Sequence, residues 1–120
     1  MKKLYLEKNL IHRLEGLDNC RQLEDLNLSN QLVAQEMTFT FDDYSLAAIS
    51  GSLRELHLAN SRVEASKPLY YLEHLVVLNL KDNIISDFDE QVCPILQTMN
   101  HLRTLWLAGN PVTHISKYRD

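Results

Sequence analysis

Leu102-Arg103-Thr104-Leu105-Trp106-Leu107-Ala108-Gly109-Asn110-Pro111-Val112 decides how this chain folds. Its frame is L-x-x-L-x-L-x-x-N-x-V, and the frame recurs. Earlier copies begin at Met1, Leu23, Leu53 and Leu75, with central leucines Leu4, Leu26, Leu56 and Leu78. Successive central leucines, ending at Leu105, are 22, 30, 22 and 27 residues apart. Side chains alternate along a strand, so the two leucines of L-x-L face one way and the residue between them faces the other. Each copy therefore predicts one short strand with a leucine face. The slot held by Asn9, Gln31, Ser61, Asn83 and Asn110 turns the chain out of that strand. A polar side chain there can serve backbone groups that the turn would leave buried and unpaired. One copy cannot bury its own leucines, so neighbouring copies must stack.

This frame at this period is the signature of a leucine-rich repeat. The expected fold class is an α/β leucine-rich repeat solenoid. Five parallel strands form its concave face, and short helical or 3₁₀ returns form its convex face. The whole chain, 1–120, reads as one domain with repeats at about 1–22, 23–52, 53–74, 75–101 and 102–120. The last repeat runs into what resembles a truncated C-terminal cap, Asn110-Pro111-Val112 to Tyr118-Arg119-Asp120. Met1 stands where a leading leucine belongs, so the N-terminal strand lacks a cap. The chain reads as a fragment of a longer protein, with an open N-terminal edge available for self-association.

The returns carry their own patterns. Ile11, Leu14, Leu17, Cys20 and Leu23 recur every third residue, as do Val63, Ser66, Leu69, Leu72 and Leu75. A strict period of three predicts tight 3₁₀-like turns. In the fourth copy, Asp87 and Glu90 have capping-box spacing. Val92, Leu96 and Met99 make a helical stripe, which predicts a helix near 90–99 with Pro94 in its first turn. The second copy has the long return, Ala34 to Ser52, read as a loop, a cap at Asp42 or Asp43, and a helix near 44–50. Asn30 and Asn60 fall one position before the ladder slot, which predicts an imperfect ladder in the middle of the stack.

Composition limits the function. The chain has 120 residues, is 45% hydrophobic and carries a net charge of −4. Its twelve Lys and Arg are scattered among sixteen acids, which argues against a nucleic-acid partner. No apolar run reaches about eighteen residues, so no membrane span is expected. Cys20 and Cys93 lie three repeats apart, on the order of 14 Å at strand spacing. That exceeds the reach of a disulfide, about 7 Å between Cα atoms, so both read as reduced core thiols of a cytosolic or nuclear protein. The five histidines show no metalloprotease spacing, and there is no glycine-rich phosphate loop. Asp87, Asp89 and Glu90 read as a solvated helix cap. No catalytic residue, cofactor or metal is assigned, and the chain is read as a non-enzyme.

The chemistry-bearing residues point outward from the strands. Tyr5, Asn27, His57, Asn79 and Trp106 form the central column of the concave face, with Arg54 and Arg103 on its rim. Exposed Trp, Tyr and Arg dominate binding hot spots. These seven residues are the candidate contacts for a protein partner.

The repeat type resembles that of the leucine-rich nuclear regulator of protein phosphatase 1, of axonemal dynein light chain 1 and of the spliceosomal A-prime protein. The irregular parts resemble one group more closely. They are Leu14-Glu15-Gly16-Leu17, the Asn30-Gln31 exit, the long return with Phe41-Asp42 and Ser45-Leu46, and the ending Gly109-Asn110-Pro111-Val112 with Lys117-Tyr118-Arg119-Asp120. Together they are similar to the C-terminal half of the protein phosphatase 1 regulatory subunit 42 family, a cilium- and centrosome-associated group. The resemblance implies a non-catalytic adaptor that binds the phosphatase catalytic subunit and tubulin, in the cytoplasm at centrosome or cilium, or in the nucleus. An assembly module gripping a partner helix, as in dynein or spliceosomal complexes, is the alternative. The R/K-V-x-F phosphatase docking motif does not occur. Arg62-Val63-Glu64-Ala65 has its first half, with Ala65 where an aromatic is needed.

Overall fold

The computed structural model describes residues 2–114, with side chains described through Val112. The readings that involve Met1 and Lys117 to Asp120 as a cap lie outside that range. Seven short strands appear in chain order: β1 (Lys3–Tyr5), β2 (Arg13–Leu14), β3 (Asp25–Asn27), β4 (Thr40–Phe41), β5 (Glu55–His57), β6 (Val77–Asn79) and β7 (Thr104–Trp106). Two α-helices accompany them, α1 (Asp43–Ile49) and α2 (Cys93–Thr98). The main sheet is parallel, in the order β1-β3-β5-β6-β7. Its register places Leu4, Leu26, Leu56, Leu78 and Leu105 side by side. Those are the five central leucines of the repeated frame. A five-stranded parallel sheet with short returns is the layout of a leucine-rich-repeat-like α/β fold.

The leucine face is the core. Leu26, Leu56, Leu58, Leu78 and Leu80 are completely buried, whereas Leu4, Leu6 and Leu105 on the edge strands are only partly so. A strand with a neighbour on both sides loses all its apolar surface to packing; an edge strand does not. Each fully buried leucine contributes about 1.5–3 kcal/mol.

The turn slot works as a hydrogen-bonding ladder that reaches back one repeat. Asn83 Oδ1 accepts from the backbone N–H of Ser61 (3.0 Å) and Val63 (2.9 Å), while Nδ2 donates to Leu58 O (2.8 Å). Asn110 does the same for Ile85 N–H and Leu80 O. Gln31 reaches Asn9 N–H, Ile11 N–H and Leu6 O. Ser61 accepts from Gln31 N–H at 3.4 Å and donates to Leu28 O at 2.9 Å. The ladder is therefore continuous, with its weakest rung in the middle, where Ser61 accepts from one N–H group and Gln31 and Asn83 from two each. Gln31 and Ser61 are longer and shorter substitutes at the same buried position.

Asn30 and Asn60 have a different job. The residue before the slot is left-handed in every copy: Lys8, Asn30, Asn60, Asp82 and Gly109 have φ of 60, 59, 52, 56 and 81°. Asparagine tolerates this region better than most side chains, and glycine adopts it freely. At Gly109 an added Cβ would collide with the Asp82 carboxylate. Gly109→Ala is expected to cost about 1–2 kcal/mol, chiefly from the left-handed backbone. Urea denaturation would read this as a lower midpoint with an unchanged slope. An unaltered midpoint would contradict the assigned turn.

The returns partly follow the sequence. Lys67–Tyr71 is a 3₁₀ helix, as the period of three predicts for the third copy. In the first copy the same period yields no helix. Arg13–Leu14 instead extends and pairs in parallel with Thr40–Phe41, forming a second, two-stranded sheet. The partner comes from the long second return, where Phe39 and Phe41 are buried and Thr40 between them is exposed. That alternation is a strand signal inside a stretch read as loop. The Phe39 and Phe41 rings lie 5.4 Å apart.

Aspartates cap α1 and the turn that leads into α2. Asp42 accepts from Ser45 N–H at 3.1 Å and Asp87 from Glu90 N–H at 3.2 Å. Leu46 and Ile49 of α1 enter the core. Buried Ser45 accepts from Leu17 N–H and donates to Asp18. The fourth return starts as a π-turn over Phe88–Val92 before α2. Pro94 sits in the first turn of α2. The π-turn shifts the buried stripe. Val92, Ile95 and Met99 are buried, and Leu96, expected in the stripe, is exposed. Cys20 and Cys93 are free and half-buried, outside the fully buried core.

Candidate functional site

The leucine face leaves the opposite face of the main sheet open, and the predicted column lies on it. Tyr5, Asn27, His57, Asn79 and Trp106 sit in register across the five strands. At about 4.8 Å per strand the column spans roughly 19 Å. The two ends are aromatic and exposed, Tyr5 by 54% and Trp106 by 42%. Lys81 places its Nζ 4.8 Å from the centre of the Trp106 ring. At an exposed site such a cation–π contact is worth about 0.5–1 kcal/mol, so it orients the indole without burying it.

The middle of the column is less free. Asn27 Oδ1 accepts from Ser29 N–H at 3.0 Å, and Asn79 Oδ1 accepts from Lys81 N–H at 3.1 Å. These asparagines spend their side-chain acceptors on strand exits. On the rim, Arg54 donates over long distances to Gly51 O (3.5 Å) and Leu53 O (3.4 Å), and Arg103 is exposed.

The left half of the face holds a polar group that the sequence reading did not assemble. Asp25 and Glu55 are register partners on β3 and β5, and His57 follows Glu55 by two residues on the same face. His57 Nε2 lies 3.5 Å from Glu55 Oε1. The Tyr5 hydroxyl donates to Asp25 Oδ2 at 2.9 Å. That hydrogen bond, followed by desolvation and the charges of Asp25, Glu55 and Glu7, raises the Tyr5 pKa above its ordinary value. The other oxygen, Asp25 Oδ1, is buried and has no hydrogen-bond partner. One ligand atom each from Asp25, Glu55 and His57 lies within 4.8 Å of the others. The expected column contains His57 and Tyr5, while Asp25 and Glu55 stand in the row beside it. The signal was present in the outward position before each central leucine.

Elsewhere, Arg62 donates to Met37 O (2.9 Å) and Gln35 O (2.6 Å), pinning the long second return, while Val63 is fully buried. The half-motif Arg62-Val63 is therefore part of the scaffold. His74 and His101, at equivalent places in adjacent repeats, stack at 5.7 Å beside an open cleft that Gln97 and Asn100 also line. No helix among the described residues is long and apolar enough to cross a membrane.

No protein-family model matches the chain. Nephrocan of Mus musculus, a leucine-rich repeat protein, is 30% identical over 115 residues, covering 92% of this chain and 20% of that protein. The chain thus spans about a fifth of the length of the curated relative it matches. Repeated frame, parallel sheet and this similarity together relate the chain to the leucine-rich repeat proteins.

Proposed function

We propose that this chain is a non-catalytic protein-binding module whose contact surface is the exposed face of the five-stranded sheet. The observation that carries the reading is the pair of exposed aromatics, Tyr5 and Trp106, at the two ends of one registered column. Large aromatic side chains held on a rigid sheet lose little conformational entropy when a partner covers them. Asn27, His57 and Asn79 would supply polar contacts between them, with Arg54 and Arg103 at the rim. The leucine-rich repeat relative supports a binding role.

The finer assignment is a solenoid that serves as a regulatory subunit or adaptor of protein phosphatase 1, linked to tubulin structures of centrosome or cilium. It is supported by the similarity of the long second return and the repeat lengths to the phosphatase regulatory subunit group. With no R/K-V-x-F motif in the chain, the phosphatase would engage the sheet face or repeats outside this chain. Self-association through the outer edge of β1 belongs to the same proposal, since β1 pairs only with β3 among the described residues. The place of action is then the cytoplasm, at the cytoskeleton.

The test is binding of the chain to the purified phosphatase catalytic subunit and to tubulin. Trp106→Ala should weaken binding by about thirtyfold, the effect of a 2 kcal/mol hot spot. Equal binding by Trp106→Ala and the native chain would exclude the sheet face. A stable helical partner recovered with the whole protein, and no phosphatase, would favour an assembly module instead.

A further inference from the structure

We propose that Asp25, Glu55 and His57 form a binding site for a divalent transition-metal ion, with Zn²⁺ as the best match to the donors. Three features support it: the donor set, the backbone that presents it, and an unanswered charge.

One imidazole and two carboxylates are the ligands that Zn²⁺ takes from proteins, at about 2.0–2.2 Å each, with water able to complete a tetrahedron. Ligand atoms around such an ion lie roughly 3.3–3.5 Å from one another. His57 Nε2 and Glu55 Oε1 already stand 3.5 Å apart, and the whole set falls within 4.8 Å. The Glu55 side chain is 46% exposed, so a change of rotamer can draw it inward without repacking the core.

The backbone that holds the three residues is rigid. Asp25 and Glu55 face each other across β3 and β5, and their strands are anchored by the fully buried Leu26 and Leu56. Residues two apart on a strand share a face, which brings His57 in beside Glu55.

The unanswered charge is Asp25 Oδ1. It is closed off from solvent with no donor, while Oδ2 is held by the Tyr5 hydroxyl. A buried acceptor without a partner is costly. A cation beside the carboxylate removes that cost, and the Tyr5 hydrogen bond then orients the ligand, as groups behind metal-binding side chains commonly do.

The test is isothermal titration of the chain with ZnCl₂ alone, alongside MgCl₂. One equivalent of Zn²⁺ should bind and Mg²⁺ should not. Affinity should fall at least tenfold in His57→Ala and in Asp25→Asn. It should survive Cys20→Ser with Cys93→Ser, and also His74→Ala with His101→Ala. Circular dichroism checks that each variant folds. In the native chain, proton–nitrogen correlation spectra should show the His57 imidazole shifting on Zn²⁺ addition while the His74 and His101 rings stay in place. No Zn²⁺ binding by the native chain would overturn the proposal. So would undiminished binding by folded His57→Ala, or loss of binding with the cysteine or His74/His101 pairs. Phosphatase or tubulin binding is read separately through Trp106, so either result stands without the other.

Discussion

Asn83→Ala is expected to destabilise the fold by about 3–6 kcal/mol, because it strips the partners from two N–H groups and a carbonyl at once. Asn83 is buried between the third and fourth repeats. Its amide answers Ser61 N–H, Val63 N–H and Leu58 O, plus Lys81 O at 3.1 Å. Ser61 and Val63 are themselves buried, so water cannot replace what is lost. Asn83→Ser should recover part of the deficit, since Ser61 fills the same slot one repeat earlier with one acceptor and one donor. Asn83→Asp keeps the acceptor but sets a carboxylate against Leu58 O, and should be nearly as damaging as alanine. Chemical denaturation measures the size of the loss. Amide hydrogen exchange localises it, with protection collapsing first at Ser61 and Val63. A loss below about 1 kcal/mol would mean that the ladder contributes little to stability. Asn79→Ala is the contrast, as Asn79 lies on the open face and its side-chain oxygen accepts from Lys81 N–H.

Leu56→Ala should cost about 2–5 kcal/mol, the range for truncating a buried leucine where the surroundings cannot collapse. Leu56 is fully buried on the central strand, between Leu26 and Leu78, both also fully buried. Hydrogen bonds of the parallel sheet hold the flanking strands at fixed spacing, so the cavity stays open. Leu105→Ala, on edge strand β7 and only partly buried, should cost less. Leu10→Ala, at a side chain 72% exposed, should change stability by no more than about 0.5 kcal/mol. Equal losses at Leu10 and Leu56 would contradict the assignment of Leu56 to the core.

Much of the candidate site could be read from the chain before it was folded. The frame numbers every residue by position, so Tyr5, Asn27, His57, Asn79 and Trp106 fall into one column without a structure. How free they are could not be read the same way. Asn27 and Asn79 turn their oxygens to their own strand exits, a choice set by the local turn and by what surrounds it. The grouping of Asp25, Glu55, His57 and Tyr5 needed the register of β1, β3 and β5 and the rotamers of four side chains. A column describes neighbours along one row, whereas this group runs diagonally across two.

The sequence by itself determined the five strands, their leucine face and the order in which they stack. A side-chain period of two is a property of the extended backbone, and burying leucines on one side leaves a single register that works. It also determined the Asp87 cap and narrowed the other to Asp42 or Asp43, since a cap acts within three residues of itself. Only the tertiary structure decided that Arg13–Leu14 would be a strand, because its partner, Thr40–Phe41, lies in a return of unusual length. Only the tertiary structure placed Ile95 inside and Leu96 outside, through one π-turn that rotates the following helix. The same holds for the buried oxygen of Asp25. These features depend on contacts between segments twenty or thirty residues apart, where packing overrides what a local pattern can specify.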